Sequence, residues 1–254
     1  MNKRFMDLSD KVIVISGAGS GIGRQVAVLC SELGATLVLL GRTESKLTET
    51  SKLLQGSGHL YYALDLTKYD ELEPVISDAV SKLGKISGFC HSAGIEYTLP
   101  LKSTGVKHYQ ELFAINVIAA FELSRIISKK VNVSESGASF VFIASIMGLV
   151  GRPGLTGYSA SKGALIAGAK SMALELAAKN IRVNCISPGT VRTELIDKML
   201  ENLEPEQREK RLGDFPLGIG KPEDVAGLAA FMMSDASSWV TGTNAVIDGG
   251  YTAR

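Results

Sequence analysis

Short apolar runs alternate along this chain with longer segments in which apolar residues recur every three or four positions. The runs are Val12 to Ser16, Thr36 to Leu40, Leu60 to Leu64, Ile86 to Cys90, Ser139 to Ala144, Ile181 to Ser187 and Asn244 to Asp248. Each has the length of a β-strand. Helical spacing fills intervals between them, for example over Ile22 to Leu33, Tyr69 to Lys82, Leu112 to Lys129, Tyr158 to Lys179 and Pro222 to Ser234. Strands that are almost continuously apolar are buried on both faces, which implies a parallel sheet covered by helices. With right-handed crossovers the alternation predicts an α/β, doubly wound fold: seven parallel strands between two layers of helices. No linker, repeat or low-complexity tract interrupts the 254 residues, so a single domain over 1–254 is expected.

One segment breaks this rhythm. Arg192 to Phe215 follows a strand, yet it is charged, helical in spacing and contains Pro205. A long insertion beyond a strand's carboxyl end points to a substrate-binding lid, at about 192–215.

Charge and composition remove several function classes. Lys plus Arg (27) almost balance Asp plus Glu (26), so no basic field is available for nucleic acid. No apolar run approaches the length of about 18 residues that a membrane span needs. The first residues, MNKRFMDLSDK, lead into only five apolar-run positions, too few for a secretory signal, and a cytoplasmic location is expected. Cys30, Cys90 and Cys185 are odd in number and widely spaced, which suits neither a disulfide framework nor a zinc site. They read as buried thiols in a reducing compartment. His59, His91 and His108 lack metal-ligand spacing, so no metal is expected.

Candidate chemistry begins where the first strand ends. Ser16-Gly17-Ala18-Gly19-Ser20-Gly21-Ile22-Gly23 forms a glycine-rich turn that opens a helix. Glycines there permit positive φ and close backbone approach, and the helix start presents free N–H groups to an anion. A strand–turn–helix of this kind in the first βαβ unit points to a dinucleotide pyrophosphate. The second strand runs into Gly41, Arg42 and Thr43. An acid near this point would bind the ribose 2′-hydroxyl of NAD. Without it, and with a guanidinium at Arg42, a 2′-phosphate is favoured, and so NADP(H) over NAD(H). Glu44 opposes that preference.

A second cluster is Tyr158-Ser159-Ala160-Ser161-Lys162. Residues four apart share a helix face, so Tyr158 and Lys162 address the same space. A nearby ammonium lowers a phenol's pKa towards the range of acid–base work. Ser145 ends a strand, which brings its hydroxyl to the ligand-binding edge of a parallel sheet.

In order and spacing these pieces, with Asp65, Ala93-Gly94, Asn116, Asn184, Pro188-Gly189 and Asp248-Gly249-Gly250, resemble the short-chain dehydrogenase/reductase family over nearly the whole chain. The resemblance implies a single Rossmann domain and a catalytic tetrad. Tyr158 exchanges a proton with the substrate oxygen, Ser145 holds that oxygen, Lys162 binds the nicotinamide ribose, and Asn116 holds a relay water. It also implies cofactor contacts at Gly17, Gly19, Ser20, Gly21, Ile22 and Gly23, at Asp65 and Leu66, at Ser92, Ala93 and Gly94, and at Pro188, Gly189, Val191 and Thr193.

The family commonly has Thr at the position of Ser16 and Asn-Asn at His91-Ser92, so the central strands must be braced differently here. His91 is read as structural. NADP-type members often carry a base inside the glycine-rich turn. Ser20 stands there, and the NADP preference rests mainly on Arg42. Glu96, Ile146, Met147 and Thr156 are expected to line the substrate pocket.

The stretch from Pro216 to Ala226 resembles the branch containing 3-oxoacyl-[acyl-carrier-protein] reductases and sugar, polyol and hydroxysteroid dehydrogenases. This implies ketone–alcohol interconversion on a small molecule, most readily a 3-oxoacyl thioester carried on acyl carrier protein. The resemblance further implies a homotetramer. Its interfaces would be formed by Leu112 to Lys129 with Tyr158 to Lys179, and by the last strand with the helix before it. A non-catalytic dinucleotide-binding protein would need none of Asn116, Ser145, Tyr158 and Lys162 together.

Overall fold

Each of the seven apolar runs forms a strand in the computed structural model, which describes residues 6–201 and 204–253. The strands are β1 (Val12–Ser16), β2 (Thr36–Gly41), β3 (Leu60–Ala63), β4 (Gly88–His91), β5 (Ala138–Ile143), β6 (Ile181–Pro188) and β7 (Asn244–Ile247). They pair in parallel throughout, in the order β3-β2-β1-β4-β5-β6-β7. The helices are α1 (Gly21–Glu32), α2 (Glu44–Ser51), α3 (Tyr69–Leu83), α4 (Val106–Phe113), α5 (Ala119–Ile127), α6 (Thr156–Leu176), α7 (Glu194–Glu201), α8 (Pro205–Gly213) and α9 (Pro222–Met233).

Side chains alternate across the sheet, so each strand feeds two cores. Val12, Val14, Val38, Leu40, Phe89, Phe140 and Phe142 pack on the face covered by α3, α5 and α6. Ile13, Ile15, Leu37, Leu39, Cys90, Val141 and Ile143 pack on the face covered by α1 and α9. β1, β4 and β5 are buried at every position, while the edge strand β3 alternates half-buried and exposed residues. Because the chain winds outward from β1 to β3 and then resumes at β4, a crevice opens at the carboxyl ends of β1 and β4, where such sheets bind ligands.

Several boundaries depart from the periodic pattern. β4 starts at Gly88, because Ile86 instead forms an isolated bridge with Val133. The single helix expected over Leu112 to Lys129 is α4, a π-helical turn at Ala114–Ile118, and α5. α2 carried no apolar stripe to announce it, for only Leu47 and Thr50 are buried.

The charged insertion forms α7 and α8, with Pro205 at the start of the second helix. Proline lacks the N–H that a helix interior needs and is tolerated in a first turn. The excursion leaves and returns at one point: Arg192 N–H donates to Gly220 O (2.8 Å), and Gly220 N–H donates to Thr190 O (3.0 Å). Among the described residues, no helix is long and apolar enough to cross a membrane, and no three potential ligands group around a metal position.

Candidate active site

The glycine-rich turn and the turn after β4 touch in the central crevice. Gly17 has φ +71°, and a Cβ there would lie 2.6 Å from Ala93 N. A Cβ at Gly23 would overlap the carbonyl oxygen of Gly17, so α1 closes against the turn only with glycine. Ser20 occupies the N-cap of α1 in extended backbone without a side-chain cap, and Gly21 and Ile22 begin the helix. The first N–H groups therefore remain available to a ligand. Arg24 braces the turn by donating to Gly19 O (2.6 Å). This glycine cradle at an uncapped helix start fits a dinucleotide's pyrophosphate.

The other expected cofactor residues ring the same edge. Arg42 and Thr43 are exposed after β2, and the Thr43 side chain makes no cap to α2. Asp65 accepts from Thr67 N–H (3.0 Å) and Thr67 Oγ1 (2.8 Å). These bonds, and then Arg42, hold its carboxyl below the usual range against the opposing effect of burial. Leu66 turns its side chain into the core, so the side chain is not available to a ligand. Ser92 N–H donates to Ser16 O (3.1 Å), and Ala93 and Gly94 follow beside the glycine-rich turn. Pro188 ends β6, and Gly189 N–H donates to Ile247 O (2.9 Å). Val191 is buried at the base of the insertion, and Thr193 approaches Gly21, where a Cβ would lie 3.2 Å from its methyl.

The expected acid–base residues meet one strand further along. Ser145 follows β5 and caps a short helical turn, its Oγ accepting from Met147 N–H (3.1 Å). Lys162 is 5% exposed and donates to Ile143 O (2.8 Å). Its Nζ stands 5.7 Å from the centre of the Tyr158 ring. Burial brings the Lys162 ammonium down to about 8, with Cys185 and Glu96 acting in the opposite direction. Tyr158 differs from the expectation of a lowered pKa. Burial pushes its phenol up, Glu96 adds to the rise, and Ser145 opposes it.

The π-helical turn carries Asn116 inward. Such turns insert an extra residue into a helix and recur at functional sites. Asn116 Oδ1 accepts from Ile95 N–H (2.9 Å), while Nδ2 donates to Ile95 O (3.0 Å) and Ser161 Oγ (3.0 Å). Both amide hydrogens are thus engaged, leaving only a second lone pair on Oδ1 for the expected water.

His91 supplies the bracing that its departure from the family pattern demands. It is fully buried, with Nδ1 2.9 Å from Ser16 Oγ and Nε2 3.2 Å from Ile115 O. A neutral ring meets both needs when Nε2–H donates to the carbonyl and Nδ1 accepts from the hydroxyl. Burial, then the Lys162 charge, lowers its pKa from 6.5 to about 3. An unfolded chain protonates this histidine below pH 6.5 while the native state refuses the proton. Stability is therefore complete above that pH and falls as pH drops towards 3. Between about pH 7 and about pH 5 the loss is about 2 kcal/mol. Thermal melts should show it, and His91→Asn should flatten that slope; an unchanged slope contradicts the assignment.

The pocket residues divide. Ile146, Met147, Leu155 and Phe215 form a small apolar cluster against which Tyr158, Ile219 and Tyr251 pack. Thr156, which opens α6, and Glu96 are exposed. Tyr251 was not expected there. It follows the Asp248-Gly249-Gly250 turn, and its ring lies 4.9 Å from that of Phe215. Its position just beyond the last strand was the available signal.

A family model described as enoyl-(acyl carrier protein) reductase matches residues 17–252. The 3-oxoacyl-[acyl-carrier-protein] reductase FabG of Thermotoga maritima is 35% identical, over 96% of this chain and 99% of that protein. The chain belongs to the short-chain dehydrogenase/reductase family. An NAD-dependent glycerol dehydrogenase of Listeria innocua is 33% identical, over 98% of this chain and 96% of that one. A solved short-chain type dehydrogenase/reductase from Mycobacterium ulcerans superposes with a TM-score of 0.89 at 30% identity, covering 98% and 92% of the two chains. This family member is an oxidoreductase acting on CH–OH groups, with NAD(P) as its cofactor.

Proposed function

We propose that this short-chain dehydrogenase/reductase uses NADPH to reduce the ketone of a 3-oxoacyl thioester, presented on acyl carrier protein. The observation that carries the reading is the meeting of Ser145, Tyr158 and Lys162 at the mouth of the cleft beside the glycine cradle. When bound, the dinucleotide supplies a hydride to the carbonyl carbon. Ser145 Oγ accepts from Met147 N–H and its hydroxyl bonds the Tyr158 phenol, a bond it can exchange for one to the ketone oxygen. Tyr158 remains protonated at neutral pH because burial raises its pKa, which suits donation to a developing alkoxide and hence the reductive direction. Lys162 binds the ribose hydroxyls and steadies the phenolate left behind. Asn116 clamps Ile95 and, through Ser161, the start of α6.

Gly17, Gly19, Ser20, Gly21, Ile22 and Gly23 hold the pyrophosphate in this reading. Asp65 and Leu66 border the adenine. Ser92, Ala93, Gly94, Pro188, Gly189, Val191 and Thr193 border the ribose, nicotinamide and phosphates. Ile146, Met147, Thr156 and Glu96 meet the substrate beneath a lid formed by α7 and α8. A polyol dehydrogenase is the second reading, favoured by the exposed Glu96 carboxylate as an acceptor for substrate hydroxyls.

The preference for NADP(H) rests on Arg42 and the uncapped Thr43 hydroxyl at the start of α2. Acetoacetyl thioester reduction should show a KM for NADPH roughly tenfold or more below that for NADH, and Arg42→Ala should erase the difference. Equal or better use of NADH by the unaltered protein contradicts the preference.

The protein in this reading is a cytoplasmic homotetramer. Exposed Val106, Ile118 and Leu174 on α4 to α6 supply apolar surface for one interface. Trp239 (98% exposed), Leu217 and Val246 supply it near β7 for the other.

A further inference from the structure

We infer that Glu96 selects substrates by charge, admitting neutral ketones and excluding those that carry a carboxylate beside the reacting carbonyl. The inference rests on the proposal that Tyr158 and Lys162 serve the reacting carbonyl.

The segment bearing Glu96 is held at both ends. Ile95 is clamped through its N–H and its carbonyl by Asn116, at 2.9 and 3.0 Å. Leu99 N–H donates to Gly154 O (2.9 Å), in the turn leading into α6. A Cβ on neighbouring Gly94 would lie 3.5 Å from Lys162 Nζ, which shows how closely the segment passes the buried ammonium. The backbone carrying Glu96 therefore runs from beside Asn116 and Lys162 to the turn before α6. Its Oε1 accepts from Thr98 Oγ1 (3.2 Å), and its charge acts on both Tyr158 and Lys162. No other carboxylate among the described residues acts on either group.

Lys162 cannot offset this charge for an incoming anion. It is 5% exposed and committed to Ile143 O, whereas Glu96 is exposed. A substrate carboxylate next to the ketone would therefore meet Glu96 first. At the separations of one small ligand and an effective dielectric constant of about 20, like-charge repulsion is worth tenfold or more in affinity. A thioester, amide or hydroxylated ketone escapes it, and a donor on such a substrate gains a hydrogen bond. The free 3-oxo acid is the compound the site turns away.

Acetoacetate and acetoacetamide test this, because they share shape and ketone and differ by one charge. With NADPH in excess, the unaltered protein should reduce the amide with kcat/KM at least tenfold above that for the acid. Glu96→Gln should bring the two within about threefold, chiefly by improving the acid. Glu96 is exposed, so the variant is expected to fold. Equal use of both compounds by the unaltered protein, or an unchanged ratio in the variant, overturns the inference. Reduction of neither, with acetoacetyl thioester also inert, overturns the proposed reaction instead. Charge selection is then read by calorimetry of both compounds on the NADP-loaded protein. Tighter binding of the amide, lost in Glu96→Gln, supports it; equal or absent binding overturns it.

Discussion

Tyr158→Phe is expected to lower kcat by about 10³-fold, while the dissociation constant for NADPH changes by less than about threefold. The substitution removes one oxygen and leaves the ring in its cluster with Ile146, Met147, Leu155 and Phe215. In the proposed reaction the phenol is the group that donates the proton. Ser145 can still polarise the ketone, but its alcohol is too weak an acid to take over. Lys162 stays tied to Ile143 O, so the proposed partner of the cofactor's ribose is unchanged. Fluorescence titration with NADPH, followed by turnover of acetoacetyl thioester, separates the two effects. Turnover near that of the unaltered protein removes Tyr158 from the chemistry.

Gly17→Val should be the most damaging change in the cofactor cradle. Gly17 sits at φ +71°, a conformation that β-branched residues avoid. Its Cβ would approach Ala93 N to 2.6 Å and Ala93 Cα to 2.8 Å, backbone atoms that cannot rotate away. Strain and overpacking together cost about 3 kcal/mol or more. The turn must move off the β4 segment, and the N–H groups at the start of α1 move with it. NADPH affinity should fall by more than about 100-fold, and the melting temperature by about 10 °C. Tight NADPH binding by the variant would show that the glycine-rich turn is not the pyrophosphate cradle.

The sheet was legible because burial on two faces writes itself as unbroken Val, Ile, Leu and Phe, as in β1 and β5. Gly17, Tyr158, Lys162 and Ser145 were legible because each belongs to a short local pattern. What the pattern concealed was non-local. The Ser16–His91 bond joins residues 75 apart, and neither carries a periodic signature. The π-helical turn that brings Asn116 inward leaves no trace in apolar spacing, so two helices read as one. α2 escaped notice because a polar helix on the rim needs almost no apolar stripe. Tyr251 reaches the pocket from the far end of the chain by packing on Phe215, a contact fixed only by the whole fold. The phenol's raised pKa likewise depends on burial and on Glu96, neither of which i, i+4 spacing between Tyr158 and Lys162 could convey.

A crystal structure of the protein with NADP and acetoacetyl thioester or its alcohol bound tests the central claim most directly. The account predicts that the substrate oxygen lies within hydrogen-bonding distance of both Ser145 Oγ and Tyr158 Oη, with Lys162 Nζ on the nicotinamide ribose. A substrate oxygen bound away from both hydroxyls, with its carbon still facing the nicotinamide, would contradict it.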